Sequence, residues 1–188
     1  FPDYNAEALH LAGLVIDNDS GRRYDRFRDR LMIPIVNPKG DIIAFGGRII
    51  DQGEPKYLNS PETPLFEKGR ELFGLPQARH ALRETDTAIV TEGYMDVIAL
   101  AQNGVGNAVA TLGTATTATH VQKLLRQVDR VVFCFDGDNA GQKAAWRALE
   151  NSLEALADNK RLGFVFLPAE DDPDSFIRSR GKEAFDRL

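Results

Sequence analysis

Several features are rare or missing in this chain of 188 residues. It has one cysteine, Cys134, inside an apolar run, so an internal disulfide is excluded and the thiol is expected to pack as a small hydrophobic group. This cysteine and the scattered His10, His80 and His120 do not supply the ligands of a zinc site, so we expect no zinc. No apolar run is long enough to cross a membrane, and no leader pattern indicates secretion. We therefore expect a globular protein of the cytoplasm with no membrane partner.

An excess of positive charge is also missing, because the formal net charge is -5 at pH 7. This value excludes a protein that coats nucleic acid through its overall charge. The charge is uneven, however, since the segment from Arg22 to Arg70 contains ten Lys or Arg and seven Asp or Glu. Within this segment, Arg26, Arg28 and Arg30 alternate with acidic residues, a pattern that fits either a solvated surface with local ion pairs or a nucleic-acid contact.

The second half of the chain alternates strand and helix patterns. Strands are predicted at 88–91, 108–111, 131–135 and 164–167, and helices at 94–103, 117–127 and 140–157. Strands separated by helices predict right-handed crossovers, and hence an α/β fold whose mostly parallel sheet has helices on both faces. The single tryptophan, Trp146, is expected to pack in the core.

The first half has a different pattern. Asn5 to Leu14, with an Asn cap and a stop at Gly13, predicts a short helix. Apolar runs at 31–36 and 42–45 predict a β-hairpin around an Asn-Pro-Lys-Gly turn. Residues 46–75 carry much of the Gly and Pro and predict loops and short strands. We expect a smaller, basic mixed α+β subdomain at 1–84 and an α/β subdomain at 85–188. Because the chain begins at Phe1 and stops within a helical pattern at Leu188, we expect a segment of a longer protein.

Acidic residues follow three of the predicted strands. Asp136 and Asp138 follow the strand at 131–135, Glu92 and Asp96 follow the strand at 88–91, and the last strand precedes Asp171, Asp172 and Asp174. The ends of parallel strands converge on one edge of a sheet, so these carboxylates are expected to bind a divalent metal ion together.

These carboxylates have other interpretations. Helix N-caps are the simplest, above all for Asp138, because a carboxylate is favourable at the positive end of a helix. An EF-hand loop is excluded, because Ala140 and Arg147 stand where the loop needs oxygen ligands. An aspartyl-phosphate hydrolase or phosphotransferase, which also begins from Asp-x-Asp, normally has Thr or Val at the position of Ala140.

These motifs resemble those of a known fold. Glu92-Gly93-Tyr94-Met95-Asp96, Thr111-Leu112-Gly113-Thr114-Ala115 and Asp136-Gly137-Asp138-Asn139-Ala140-Gly141 resemble the glutamate motif, middle strand and paired-aspartate motif of the TOPRIM fold. The preceding segments Arg26-Phe27-Arg28-Asp29-Arg30, Phe45-Gly46-Gly47-Arg48, Lys56 to Thr63 and Lys68-Gly69-Arg70 resemble the basic region of bacterial DnaG-type primases. The resemblance covers nearly the whole chain and implies the central part of a primase RNA-polymerase domain.

The resemblance implies an activity and its partners. It implies DNA-dependent synthesis of an RNA primer on single-stranded DNA from ribonucleoside triphosphates, with Mg²⁺, or Mn²⁺ as a substitute, during bacterial replication. The family's zinc ribbon, the helicase-binding domain that recruits the replicative helicase, and the helical end of the polymerase domain have no counterpart in this sequence. A TOPRIM nuclease and a non-catalytic nucleic-acid-binding module remain as alternatives.

The resemblance also assigns residues to roles. The catalytic and central metal-binding carboxylates are Glu92, Asp136 and Asp138. Further metal ligands or orienting residues are Asp96, Asp172 and Asp174. Nucleotide or phosphate contacts are expected from Arg48, Lys56, Tyr57, Asn59 and Lys68, and DNA contacts from Arg26, Arg28 and Arg30.

Overall fold

The computed structural model describes residues 6–188, which form two compact units that divide between Glu67 and Lys68. The described part of the first unit contains one short helix and five strands, which are α1 (Ala6–Leu11), β1 (Val15–Asp17), β2 (Arg23–Asp25), β3 (Arg30–Val36), β4 (Ile42–Ile49) and β5 (Tyr57–Asn59). Strands β1 and β2 form an antiparallel ribbon, and β3, β4 and β5 form an antiparallel sheet in that order.

The predicted hairpin is confirmed as β3 and β4. Its turn is stabilised by Asn37, whose side-chain oxygen accepts hydrogen bonds from the backbone N–H groups of Lys39 at 2.9 Å and Asp41 at 3.0 Å. The predicted short helix with its stop at Gly13 is confirmed, because α1 ends at Leu11 and Gly13 adopts a φ of 67° that ends the helical path. Asn5 lies outside the described residues.

The second unit is a parallel sheet with helices. Its elements are α2 (Leu75–Thr85), β6 (Thr87–Thr91), α3 (Tyr94–Gln102), β7 (Ala108–Ala110), α4 (Ala118–Leu125), β8 (Arg130–Phe135), α5 (Asn139–Ser152), β9 (Arg161–Phe166) and α6 (Pro173–Phe185). The four strands are all parallel and lie in the order β7-β6-β8-β9. The predicted α/β class is therefore confirmed, although α5 ends earlier than predicted and its chain tightens into a 3₁₀ turn at Leu153–Ala155.

Both faces of the sheet are covered. Alternate residues of β8, namely Val131, Phe133 and Phe135, pack in the core with side chains of α2, α4 and α5. Cys134 lies between them in the strand and is fully buried, as predicted for a small hydrophobic group. Because both faces are buried, the strand is apolar at successive positions rather than at every second one.

Helix α2 was not predicted, and it belongs by packing to the second unit. Leu75, Ala78 and Leu82 are buried in that unit's core, and they follow one face of the helix. The domain boundary expected at residue 84 stays a prediction, but packing groups residues 68–84 with the parallel sheet. Among residues 6–188, no helix combines the length and apolar character needed to cross a membrane.

Candidate functional site

The acidic residues lie at the carboxyl ends of three neighbouring strands. Glu92 follows β6, Asp136 follows β8 directly, and Asp172 lies in the loop between β9 and α6. Strands β6 and β8 are neighbours, yet the chain leaves β6 towards β7 on one side and leaves β8 towards β9 on the other. In open α/β sheets, ligands bind in the crevice that such a reversal creates.

These carboxylates influence one another electrostatically. Desolvation, followed by the charges of Asp136 and Asp172, raises the pKa of Asp96 to about 7. The pKa of Glu92 is raised by desolvation and then by the charges of Asp136 and Asp138. The pKa of Asp136 is likewise raised, first by desolvation and then by Asp172 and Asp138. We refer to Glu92, Asp96, Asp136, Asp138 and Asp172 as the acidic cluster.

Two glycines allow the loop after β8 to pack closely. A Cβ atom at Gly137 would lie 1.9 Å from the carbonyl oxygen of Pro168, and the Gly137 N–H donates to the carbonyl of Asp171 at 3.0 Å. A Cβ atom at Gly141 would lie 2.0 Å from the carbonyl oxygen of Asp136. The glycines of this motif are therefore needed because backbone approaches backbone, which the residue types alone did not reveal.

Asp138 is a helix cap as well as a member of the acidic cluster. Its Oδ1 atom accepts hydrogen bonds from the N–H groups of Ala140 and Gly141, each at 2.8 Å, at the start of α5. The N-cap considered from the sequence is thus present, and it uses one of the two carboxylate oxygens. Asp172 caps α6 in the same way, because its Oδ1 accepts from the Ser175 N–H at 2.6 Å.

The remaining acids of the third group are paired with arginines. Asp174 forms an ion pair with Arg178, and Asp171 forms one with Arg180 at 3.0 Å. An ion pair competes with metal for the same oxygens, so the arrangement favours Asp172 over Asp174 as the member of this group that faces a cation. Among residues 6–188, no three His, Cys, Asp or Glu side chains are arranged to surround a metal ion in advance.

A pocket of about 250 Å³ adjoins the acidic cluster. Glu92 lines it together with side chains from the loop after β7, from the end of β8 and from α5, namely Thr111, Gly113, Thr114, Ala115, Thr116, Phe135, Ala144 and Arg147. Sequence reasoning assigned no function to Arg147. Only the fold brings this α5 side chain next to Glu92.

The segment around Lys68 is attached to the start of α4. The Thr117 hydroxyl donates to the Gly69 carbonyl at 2.7 Å, and His120 Nε2 lies 3.0 Å from the Lys68 carbonyl. The Thr117 N–H donates to His120 Nδ1 at 3.2 Å, so Nε2 carries the proton of a neutral ring. Burial lowers the pKa of His120 and favours this neutral form. His120 therefore has a structural role, and it places the backbone of Lys68.

In the first unit, predicted phosphate-binding residues are grouped around one aromatic ring. Arg48 of β4 lies opposite Tyr57 of β5, with its guanidinium 5.7 Å from the ring centre. The Lys56 ammonium lies 5.5 Å from the same ring. Asn59 lies two residues further along β5, opposite Gly46. Arg48, Lys56 and Tyr57 form what we call the basic cluster.

The three arginines proposed to contact DNA have different surroundings. Arg28 is exposed, with its guanidinium 4.9 Å above the ring of Tyr24. Arg30 donates to the carbonyls of Gly47 and Lys56 at 3.4 Å, which joins it to the sheet. The Arg26 Nε atom is buried and has no hydrogen-bond partner in the described part of the chain.

The expectation that Trp146 lies in the core is wrong. Its side chain is 64% exposed on α5, and its indole N–H donates to Glu150 at 3.0 Å. The buried positions of this helix are occupied by small residues, Gly141, Ala145 and Ala148, because α5 packs closely against the sheet and leaves no room for an indole there.

Comparison with known proteins identifies the family. Residues 2–79 match the N-terminal domain of the DNA primase catalytic core, and residues 89–177 match a Toprim-like domain. Over 186 residues the chain is 61% identical to a DNA primase of Neisseria meningitidis, covering 99% of this chain and 31% of that protein. This chain belongs to the DNA primase family. It is also 53% identical over 182 residues to the DNA primase of Escherichia coli strain K12, of which it covers 31%.

Solved primase structures share its fold. A DNA primase domain from Pseudomonas aeruginosa superposes with a TM-score of 0.92 at 59% identity, covering 96% of this chain and 57% of that one. A DnaG primase catalytic domain bound to ssDNA gives a TM-score of 0.91 at 52% identity, covering 97% of this chain and 60% of that one. The chain thus spans 31% of the curated primases named above and corresponds to part of their catalytic core.

Proposed function

We propose that this chain carries the catalytic centre for RNA primer synthesis on single-stranded DNA, by metal-dependent nucleotidyl transfer. The observation that carries the proposal is the acidic cluster, which lies at the topological switch point of a parallel sheet and in which desolvation and neighbouring carboxylates raise the pKa of Glu92, Asp96 and Asp136. The high identity to DNA primases and the similarity to a primase core bound to ssDNA support it. The same comparisons give no support to a TOPRIM nuclease or to a non-catalytic binding module.

The oxygen donors of the acidic cluster suit a divalent metal ion by their chemistry. The carboxylates of Glu92 and Asp136 have no hydrogen-bond or ion-pair partner in the described part of the chain, and desolvation, followed by the neighbouring carboxylates, raises the pKa of each. Asp138 keeps one oxygen outside its capping bonds. We assign the metal to Glu92, Asp136 and Asp138, with Asp96 and Asp172 beside them, and with Asp174 as an outer ligand that must first release Arg178. Mg²⁺ is the proposed ion and Mn²⁺ its substitute.

Primer synthesis requires attack by a 3'-hydroxyl on an α-phosphate and departure of pyrophosphate. Bound divalent ions supply Lewis-acid activation of the attacking oxygen and neutralise the leaving group. Glu92 has a raised pKa and lies next to the pocket described above, so it can accept the hydroxyl proton or hold a ligand water. The cap bonds of Asp138 and the glycine contacts of the loop hold these carboxylates in place before substrate binds.

Substrates are assigned to the cationic side chains. Arg48, Lys56 and Lys68, with Tyr57 and Asn59, bind the phosphates of the incoming ribonucleotide, because extended cations form charge-assisted contacts with phosphate oxygens. Arg26, Arg28 and Arg30 contact the template or the primer strand. We place this activity in the bacterial cytoplasm at the replication fork, with the replicative helicase recruited through a domain outside this sequence.

The test is a primer-synthesis assay with the full-length protein, single-stranded DNA, labelled ribonucleotides and Mg²⁺. We expect Asp136→Asn to lower product formation by at least about a hundredfold, because a central charge of the metal site is lost. Asp158→Asn, in an exposed loop, is the matched control and should retain full activity. Equal activity of the two variants would contradict a catalytic role for the acidic cluster.

Metal assignment has its own test. Crystals soaked in Mn²⁺ should show anomalous scattering peaks between Glu92, Asp136 and Asp138, and Asp138→Ala should weaken them. Peaks found only at lattice contacts would contradict the assignment. The two experiments are independent, since the first measures product and the second measures ion position.

A further inference from the structure

The pocket beside Glu92 is lined by side chains to which the proposed function assigns no role. Besides Glu92, it is lined by the hydroxyl-bearing residues Thr111, Thr114 and Thr116 and by the cation Arg147. Its volume of about 250 Å³ is below the roughly 300–1,000 Å³ typical of pockets for drug-sized ligands. It is therefore suited to one small group rather than to a whole nucleotide.

Thr116 is the observation that indicates a ligand. The residue is only 4% exposed, and its hydroxyl has no hydrogen-bond partner among residues 6–188. Its backbone is held in place, because its carbonyl accepts a hydrogen bond from the Asn151 side chain at 2.8 Å. Buried polar groups in folded proteins are rarely left unpaired. A threonine at the wall of a pocket can satisfy its hydroxyl when it turns about its Cα–Cβ bond towards a bound group.

The lining favours a sugar over a phosphate. Glu92 places negative charge in the wall, next to the other carboxylates of the acidic cluster, so an anion inside the pocket is repelled. Threonine hydroxyls and a carboxylate instead match the hydroxyl groups of a sugar, which both donate and accept. Phe135 and Ala144 offer apolar surface to the sugar's carbon atoms, and the exposed Arg147 is available to the phosphate attached to that sugar.

We infer that this pocket holds the 3'-terminal ribose of the growing RNA strand, and that the Thr116 hydroxyl contacts its 2'-hydroxyl. The inference rests on the proposed function, and it deepens that function by naming the sugar next to the acidic cluster and a residue that distinguishes RNA from DNA. A ribose at this position also brings its 3'-hydroxyl towards Glu92, which is where the attacking oxygen is needed.

Thr116→Val tests this contact, because valine keeps the shape of threonine and removes only the hydroxyl. Free protein is not expected to lose stability, since the hydroxyl has no partner there. Thr116→Ser restores the hydroxyl and is the rescue variant. Thr119→Val removes an exposed hydroxyl three residues further along, at the start of α4, and is the matched control.

The experiment uses full-length protein and template-annealed RNA primers whose last nucleotide is either a ribonucleotide or its 2'-deoxy form. Wild type should extend the ribose-ended primer at least about tenfold faster, because a site built around a hydroxyl rejects the analogue that lacks it. For Thr116→Val, we expect extension of the ribose-ended primer to fall to within about threefold of the deoxy-ended one, which itself stays unchanged. Thr116→Ser and Thr119→Val should retain the wild-type ratio.

Each other outcome has a definite meaning. If wild type extends primers and the Thr116→Val ratio equals the wild-type ratio, the inference is overturned and the proposed function stands. Equal loss on both primers also overturns it, because a merely structural role affects both ends alike. Binding of the same two primers, measured by fluorescence anisotropy without nucleotides, should show the same selectivity. If wild type extends neither primer, the proposed function is wrong. If wild type then also binds the ribose-ended and deoxy-ended primers equally, the inference is wrong as well.

Discussion

In the first unit, positive side chains lie over an aromatic ring on an antiparallel sheet, whereas in the second unit negative side chains follow neighbouring parallel strands. Arg48 and Lys56 gain from the ring of Tyr57, because its face attracts cations while solvent still reaches the charges. Asp96 and Asp136 instead lie among other carboxylates and are partly desolvated, which raises the pKa of each.

This contrast shows that the two sheet architectures place charged side chains in different surroundings. Cross-strand neighbours in an antiparallel sheet place a cation and an aromatic ring side by side on one exposed face. The carboxyl ends of parallel strands bring residues distant in sequence together at one edge, where like charges accumulate. The basic cluster is stable without ligands, and the acidic cluster is destabilising until a cation binds or protons are taken up.

The largest expected effect comes from the backbone contact between Gly137 and Pro168. Gly137→Ala places a Cβ atom 1.9 Å from the Pro168 carbonyl, so the loops after β8 and β9 must separate. We expect the free energy of unfolding to fall by about 3 kcal/mol, measured by urea denaturation. Gly163→Ala is the control, because its Cβ atom would lie 3.6 Å from the nearest side chain, at ordinary contact distance. Equal stability of both variants would contradict the close packing of this edge.

The second largest effect is expected on nucleotide incorporation when the basic cluster loses a cation. Lys56→Ala removes a charge-assisted phosphate contact of about 2 kcal/mol, which corresponds to a roughly thirtyfold drop in incorporation. Single-stranded DNA binding should change much less, and Lys39→Ala, in the hairpin turn, should leave both unaffected. The readout is incorporation of labelled ribonucleotide by the full-length protein. Activities of Lys56→Ala and Lys68→Ala within about twofold of wild type would exclude the proposed phosphate contacts.

The acidic cluster should also make stability depend on pH. Folding raises the pKa of Asp96 from 3.8 to about 7, so the folded protein takes up a proton at higher pH than the unfolded chain does. The destabilisation is therefore complete above the folded pKa and is relieved as pH falls through it towards the unfolded value. We expect Asp96→Asn to stabilise the protein by about 2 kcal/mol near pH 8 and by less than half of that near pH 5, because pH 5 still lies above the unfolded pKa.

Urea denaturation at the two pH values, without divalent ions, measures this difference. Asp158→Asn, in an exposed loop, should show no such pH-dependent gain. Adding Mg²⁺ at pH 8 should raise the wild-type midpoint, because an ion that binds only the folded state stabilises it. If Asp96→Asn stabilises equally at both pH values, charge in the acidic cluster is not the cause.

The smallest expected effect concerns the salt dependence of DNA binding. If about four phosphates of single-stranded DNA are neutralised, the slope of log affinity against log salt should be near -3. Arg28→Ala combined with Arg30→Ala should reduce it to about -1.4, since each phosphate contact contributes roughly 0.7. The double variant of Arg126 and Arg130, both exposed in the second unit, removes the same charge and should leave the slope unchanged. An unchanged slope for the Arg28 and Arg30 variant would show that these two residues do not contact the DNA strand.

The strands of the second unit could be predicted because their signals are local. Each is a short apolar run flanked by polar residues, and its position is within a few residues of the prediction. Helix α2 was missed because Gly74 and Pro76 at its start resemble a loop, although Leu75, Ala78 and Leu82 follow a helical spacing. Trp146 was placed in the core because large aromatic residues usually are, and helical spacing alone does not show which face of α5 meets the sheet.

Local sequence patterns were enough to predict the parallel α/β class, the hairpin and the carboxylates that follow β6, β8 and β9, because hydrophobic periodicity and turn residues act over a few positions. The packing of distant segments determines which carboxylates accumulate charge and which are paired, as with Asp136 and Asp174. It also determines that Asp138 caps α5, that His120 holds the Lys68 segment, and that Thr116 and Arg147 share a pocket with Glu92. These features depend on distances between residues far apart in the chain, and such distances exist only once strand order and helix packing are set.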